Sequence, residues 1–142
     1  MKDFKNLRVW HRAHELTILI YRATKDFPKE ELFGLTSQMR RAATSIGSNI
    51  AEGSGRRCDG DLTRFLHIAR GSAAELEYQL LLARDLELLA EGKFSAMNKR
   101  VDEIERMLTS LIQQVQPVRE KTTTGIRRVE AVDRSRLEAR SS

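Results

Sequence analysis

Three histidines, one cysteine and one glycine-rich basic stretch are the places where this sequence could do chemistry. A di-metal helical bundle takes Glu-x-x-His on two helices. Three residues ahead of His11, His14 and His67 stand Arg8, His11 and Arg64, so that motif is missing. His11 and His14 occupy adjacent helical turns and supply two imidazoles, where a closed site takes four ligands. Cys58 lies beside Arg56 and Arg57, whose charge favours a thiolate, yet no histidine is near in sequence to act as its base. A single cysteine also leaves no intramolecular disulfide and no multi-cysteine zinc site. Gly53-Ser54-Gly55-Arg56-Arg57 is basic and glycine-rich, but it lacks the Lys-Ser/Thr ending of a phosphate loop and follows a helix instead of a strand. The expectation is a protein with no catalytic residues, no metal and no cofactor.

What remains is electrostatic. The net charge is +5, and it is unevenly spread. Residues 1–73 carry 13 basic against 8 acidic side chains, residues 74–116 carry 5 against 8, and residues 117–142 carry 7 against 4. A basic half and an acidic half suit either a polyanionic partner or head-to-tail self-association. The candidate nucleic-acid-binding set is Lys5, Arg8 and Arg12 around the first helix, Arg40 and Arg41 on the second, and Arg56, Arg57 and Arg64 after it. In an antiparallel bundle Lys5, Arg8, Arg12, Arg56, Arg57 and Arg64 meet at one end, where they would hold phosphates without reading sequence. A solvated rim is the competing reading, and for Arg40 and Arg41 a subunit contact is another.

Two polar stripes stand beside apolar seams. Ser45, Asn49 and Glu52 are spaced i, i+4, i+7, and Ser72, Glu75 and Gln79 are spaced i, i+3, i+7. Facing each other, they form a structural hydrogen-bond network or a subunit contact.

The elements that must position these residues are helical. The only prolines are Pro28 and Pro117, and Asp59-Gly60, the one hairpin-type dipeptide, has no alternating strand beside it. Helix one runs from about Leu7 to Phe27 on the stripe Val9, Ala13, Leu16, Ile20, Ala23, Phe27. Helix two runs from about Leu35 to Glu52, with Gly47 inside it and Gly53-Ser54-Gly55 as its stop. Helix three runs from Asp59 or Asp61 to Glu91, with Gly92 closing it; at 1.5 Å per residue it is about 45 Å long and outreaches its neighbours. Helix four runs from about Ser95 to Val115 on Met97, Val101, Ile104, Leu108, Leu111 and Val115. The fold class is all-α: an antiparallel up-and-down four-helix bundle over residues 1–116, with loops near 28–34, 53–60 and 92–94, followed by a basic, mobile tail over 117–142. The wide apolar face of helix one predicts a homo-oligomer. No apolar run is long enough to span a membrane and no signal peptide opens the chain, so the expected location is cytoplasmic.

Certain of these residues resemble a known family. Leu7-Arg8-Val9-Trp10, then Phe33-Gly34-Leu35-Thr36-Ser37-Gln38-Met39-Arg40-Arg41-Ala42-Ala43 with Ser45-Ile46 and Asn49-Ile50-Ala51-Glu52-Gly53, and Gly71-Ser72-Ala73-Ala74-Glu75-Leu76-Glu77 are similar to the four-helix bundle proteins encoded in intervening sequences of bacterial 23S ribosomal RNA genes, also called the S23 ribosomal protein family. The resemblance covers roughly residues 3–116. Members often carry proline where Gly47 stands here. The family is similar in fold to the accessory variability determinant of diversity-generating retroelements, a homopentamer that binds nucleic acid and a reverse transcriptase. The resemblance therefore implies a self-associating helical subunit, five copies to an assembly, with RNA or DNA and a reverse transcriptase or other protein as partners.

Overall fold

The computed structural model describes residues 3–116; the expected tail at 117–142 lies outside the described residues. Four helices make up the fold: α1 (Arg8–Thr24), α2 (Ser37–Ser54), α3 (Asp59–Asp85) and α4 (Glu91–Val115). No strand occurs among the described residues, and no helix there is long and apolar enough to cross a membrane.

Cross-helix contacts fix the antiparallel order. Between α1 and α2, Arg40 meets Thr24, Thr17 meets Ala43, and Trp10 lies over Gly47. Between α2 and α3, Ser45 meets Ser72 and Gly53 meets Phe65. Arg70 reaches Thr109 and Arg84 covers Phe94 between α3 and α4, while Arg12–Glu103 and Arg100–Glu15 close α4 onto α1. In each pair one number rises as the other falls, so the chain runs up, down, up, down. The core is the set of stripes that face inward, including Leu16, Ile20, Met39, Ile46, Ile50, Leu66, Leu76, Leu80, Ile104 and Leu108.

The helix ends correct the sequence reading in several places, beginning with α1, which stops at Thr24 and not at Phe27. Gly53 and Ser54 do not stop α2; they complete its last turn. The Ser54 hydroxyl donates back to the Ile50 carbonyl at 2.8 Å, and Gly55 supplies the end. Helix three stops at Asp85, not Glu91, for a length of about 40 Å. Its end is a Schellman turn: Glu87 sits at φ 61°, its N–H donates to Arg84, and the Leu88 N–H donates to Ala83 at 2.9 Å. A glutamate in a position that favours glycine hid that turn, and the run Leu86, Leu88, Leu89 carried the apolar pattern through it. Gly92 therefore does not close α3; it lies in the first turn of α4, which begins four residues earlier than its periodicity indicates. The connection from Lys25 to Thr36 is longer than expected and is itself helical in parts, with a 3-10 turn (Lys29–Glu31) and a π turn (Leu32–Thr36).

Two glycines inside α2 behave oppositely. A Cβ on Gly47 would lie 3.6 Å from the Trp10 indole nitrogen, an ordinary contact. A Cβ on Gly53 would lie 2.9 Å from the Phe65 Cβ, closer than such atoms pack, and a tight 3.2 Å from a Leu62 methyl. Gly47→Ala is expected to raise stability by about 0.5–1 kcal/mol through the entropy of the unfolded chain. Gly53→Ala is expected to lower it by about 1–3 kcal/mol through overpacking. Urea unfolding followed by circular dichroism measures both.

Candidate nucleic-acid interface

The start of α1, the end of α2 and the start of α3 share one end of the bundle, and most of the basic set stands there. Asp3 opens a 3-10 turn (Phe4–Asn6) by accepting from the Lys5 N–H, which places Lys5 just ahead of Arg8. Arg57 lies in the three-residue link after Gly55, and Arg64 follows in the second turn of α3. Lys5, Arg8, Arg57 and Arg64 are all exposed, and none has a carboxylate partner among the described residues.

Other members of the set are engaged within the subunit. Arg12 turns toward α4, 3.2 Å from Glu103, and also pairs with Glu15. It therefore does not share a free face with Lys5 and Arg8. Arg56 pairs with Glu52 at 2.6 Å, and its guanidinium lies 5.0 Å from the Phe65 ring centre. Arg64 lies 4.5 Å from the same ring, so two cations rest on one half-buried aromatic. Arg40 and Arg41 stand at the opposite end of the bundle. Arg40 donates to the Thr24 hydroxyl at 2.8 Å and to the Tyr21 carbonyl at 3.4 Å, and covers the Tyr21 ring. Arg41 is exposed beside Gln38, Ser45, Ser72 and Glu75 in a cleft between α2 and α3.

The two polar stripes meet in part. The Ser45 and Ser72 hydroxyls are 2.8 Å apart, and the Asn49 amide donates to the Ser45 carbonyl at 2.8 Å and hydroxyl at 3.0 Å. Gln79, 4% exposed, donates to Glu75 at 3.4 Å, a pair internal to α3. Glu52 is drawn away by Arg56. Ser45, Asn49 and Ser72 thus form a hydrogen-bonded clamp between α2 and α3.

Sequence reading missed an aromatic cluster at the basic end. Trp10 stacks on His14 with ring centres 5.1 Å apart and meets Phe4 and His11 edge-on. His11 is held by the Lys5 carbonyl at 2.5 Å. The spacing of His11 and His14 was visible; the indole between them needed the fold. Among the described residues no three His, Cys, Asp or Glu side chains are grouped to hold a metal ion, and Cys58 is exposed.

A second missed feature is a carboxylate pair across α3 and α4. The Glu105 carboxyl is pushed up to about 7, first by burial, then by a hydrogen bond to Glu77 and repulsion from Glu77 and Asp102, with Arg70 opposing. His67 is lowered, by burial and then by Arg70, whose Nη2 donates to His67 Nδ1 at 3.1 Å. A raised carboxyl favours the folded state while protonated, so its contribution is present below the ordinary carboxylate range and is lost as pH rises through about 7. The lowered His67 works the other way, losing its contribution as pH falls. Glu105→Gln is expected to flatten the decline in melting temperature between pH 5 and 8 and to leave the variant more stable than the parent at pH 8. Thermal melts at the two pH values measure it; equal slopes for parent and variant would contradict it.

Comparison with known proteins places this architecture. A solved structure of a protein of unknown function from the S23 ribosomal protein family of Bacteroides thetaiotaomicron is similar, with 30% identity and a TM-score of 0.69 over 74% of this chain and 95% of that one. No curated protein matches. Residues 5–110 match the family described as 23S rRNA-intervening sequence protein, from the turn before α1 to the last turns of α4. With its four antiparallel helices and a match across most of its length, the chain belongs to the 23S rRNA-intervening sequence protein family.

Proposed function

We propose that this protein is a non-enzymatic, homo-oligomeric helical bundle of the cytoplasm that binds the backbone of RNA or DNA through the end carrying Lys5, Arg8, Arg57 and Arg64. The observation behind it is that these four exposed cations gather at one end without carboxylate partners among the described residues. Asp59 and Asp61 open α3 at the same end, which tempers the field and leaves a surface that contacts phosphates one by one. Among the described residues no helix presents a continuous basic face for the major groove, so recognition is by charge and shape. Each such contact is weak alone, and repetition around an assembly supplies avidity; five copies is the number the family resemblance suggests.

A protein-interaction scaffold without nucleic-acid binding is the second reading, with a reverse transcriptase among its candidate partners. The use of Arg12, Arg40 and Arg56 inside the subunit favours it.

Salt titration separates the two. Binding to a labelled RNA or DNA duplex is expected to fall with a log–log slope near −0.9 per neutralised phosphate, and a scaffold shows no retention even at 50 mM salt. Changing Arg57 and Arg64 together to Ala is expected to weaken binding across all sequences and to reduce the slope by about 2. Wild-type affinity and slope in that variant would remove this end as the binding surface.

A further inference from the structure

Between α2 and α3 lies a cleft of about 390 Å³, lined by Gln38, Arg41, Ala42, Ser45, Ser72 and Glu75. That volume is near the lower end for sites that hold small molecules. Of its lining residues only Ala42 is apolar, so what fits there is small and hydrophilic.

Two opposite charges stand level with each other on its rim. Arg41 lies one turn before Ser45 on α2, and Glu75 one turn after Ser72 on α3. The Ser45–Ser72 contact fixes the register of these antiparallel helices, which puts Arg41 and Glu75 at the same height on either side of the seam. They form no ion pair with each other, nor with any other charge among the described residues. Both are exposed, so both side chains have the freedom to close on a molecule held between them.

The buried polar groups beneath the rim are not all satisfied. Asn49 donates to the Ser45 hydroxyl at 3.0 Å, and the Ser45 and Ser72 hydroxyls share one contact at 2.8 Å. That contact uses one of their two O–H protons. The other has no acceptor among the described residues, although Ser72 is only 9% exposed. Behind Glu75, the buried Gln79 amide donates to one carboxylate oxygen at 3.4 Å, and its own Oε1 has no partner among the described residues. The unused groups therefore sort by kind: a guanidinium and a hydroxyl proton as donors, a carboxylate and an amide oxygen as acceptors.

We propose that this cleft binds a small zwitterion of the free amino acid class, its carboxylate on Arg41 and the spare serine hydroxyl, its ammonium on Glu75. The guanidinium fork matches a carboxylate through two parallel hydrogen bonds. A phosphate or a bare carboxylate gains Arg41 but meets Glu75, and a bare amine meets the reverse, so only a ligand carrying both charges complements the site. The cleft lies away from Lys5, Arg8, Arg57 and Arg64, and this binding is separate from any contact with nucleic acid.

Saturation-transfer difference NMR on the full chain reads such binding whatever the size of the assembly. L-alanine, propionate and ethylamine share a carbon skeleton and carry both charges, the negative alone and the positive alone. L-alanine is expected to bind saturably at millimolar concentration, and the other two at least about tenfold more weakly, the worth of one charge-assisted hydrogen bond. Arg41→Gln and Glu75→Gln, each checked for native helicity by circular dichroism, are expected to weaken L-alanine by a similar factor. Glu75→Gln is also expected to bind propionate more tightly than the parent does, a gain that a general disturbance of the fold does not produce. Absence of a saturable L-alanine signal would overturn the site. Equal affinity for L-alanine and either single-charge probe would overturn the zwitterion and leave an ordinary surface ion contact. Parental L-alanine affinity in either variant would remove this cleft as the place of binding.

Discussion

At the end of α2 the backbone of Gly53 stands so close to Phe65 and Leu62 that no side chain fits between them, and Ala42, Ala69 and Ala73 extend the small-residue seam. That approach governs how α2 and α3 lie, and the other contacts depend on it. It brings the Ser45 and Ser72 hydroxyls within hydrogen-bonding distance, where a wider seam would leave two polar groups buried without partners. It also sets the end of α2 against the start of α3, so that the four-residue link between them carries Arg57 outward and lets Arg56 and Arg64 rest on one ring. The basic end is thus a consequence of helix packing before it is a feature of charge.

The bundle's two ends differ in how their arginines are used. At one, Arg40 is absorbed into closing α1 onto α2, bonded to Thr24 and Tyr21. At the other, Arg57 is left exposed and Arg64 rests on an aromatic and forms no ion pair among the described residues. Surface ion pairs such as Arg56–Glu52 contribute little to stability, typically about 0–1 kcal/mol, so their effect here is mostly on which cations stay available. Formal charge along a sequence does not reveal that difference, because the partners of Arg12 are 3 and 91 residues away.

How much could be read in advance follows the same division. Four helices, their order and nearly all of their inward stripes were legible, since burial of one face imposes a period of 3.6 that the residues carry openly. The helix ends were legible only where proline or a typical cap marked them. Glu87 occupies a left-handed position without the usual glycine, and Ser54 finds its partner inside the helix, so neither announced itself. Of the candidate site, the gathering of Lys5, Arg8, Arg57 and Arg64 at one end followed from antiparallel topology alone. The stacking of Trp10 on His14, the Glu77–Glu105 pair and the diversion of Glu52 to Arg56 did not, because each depends on side-chain directions across a seam.

Phe33 joins these levels. An exposed aromatic would ordinarily be a loop residue left over from folding, but here Gly34, Glu31 and Leu35 act together to keep it out. Between Leu32 and Thr36 only Gly34 departs from helical dihedrals, and the Glu31 carboxylate takes up the Leu35 N–H there. Leu35 is thereby set into the core and Phe33 on the surface, so one break in the backbone decides which of two nearby apolar side chains the bundle buries.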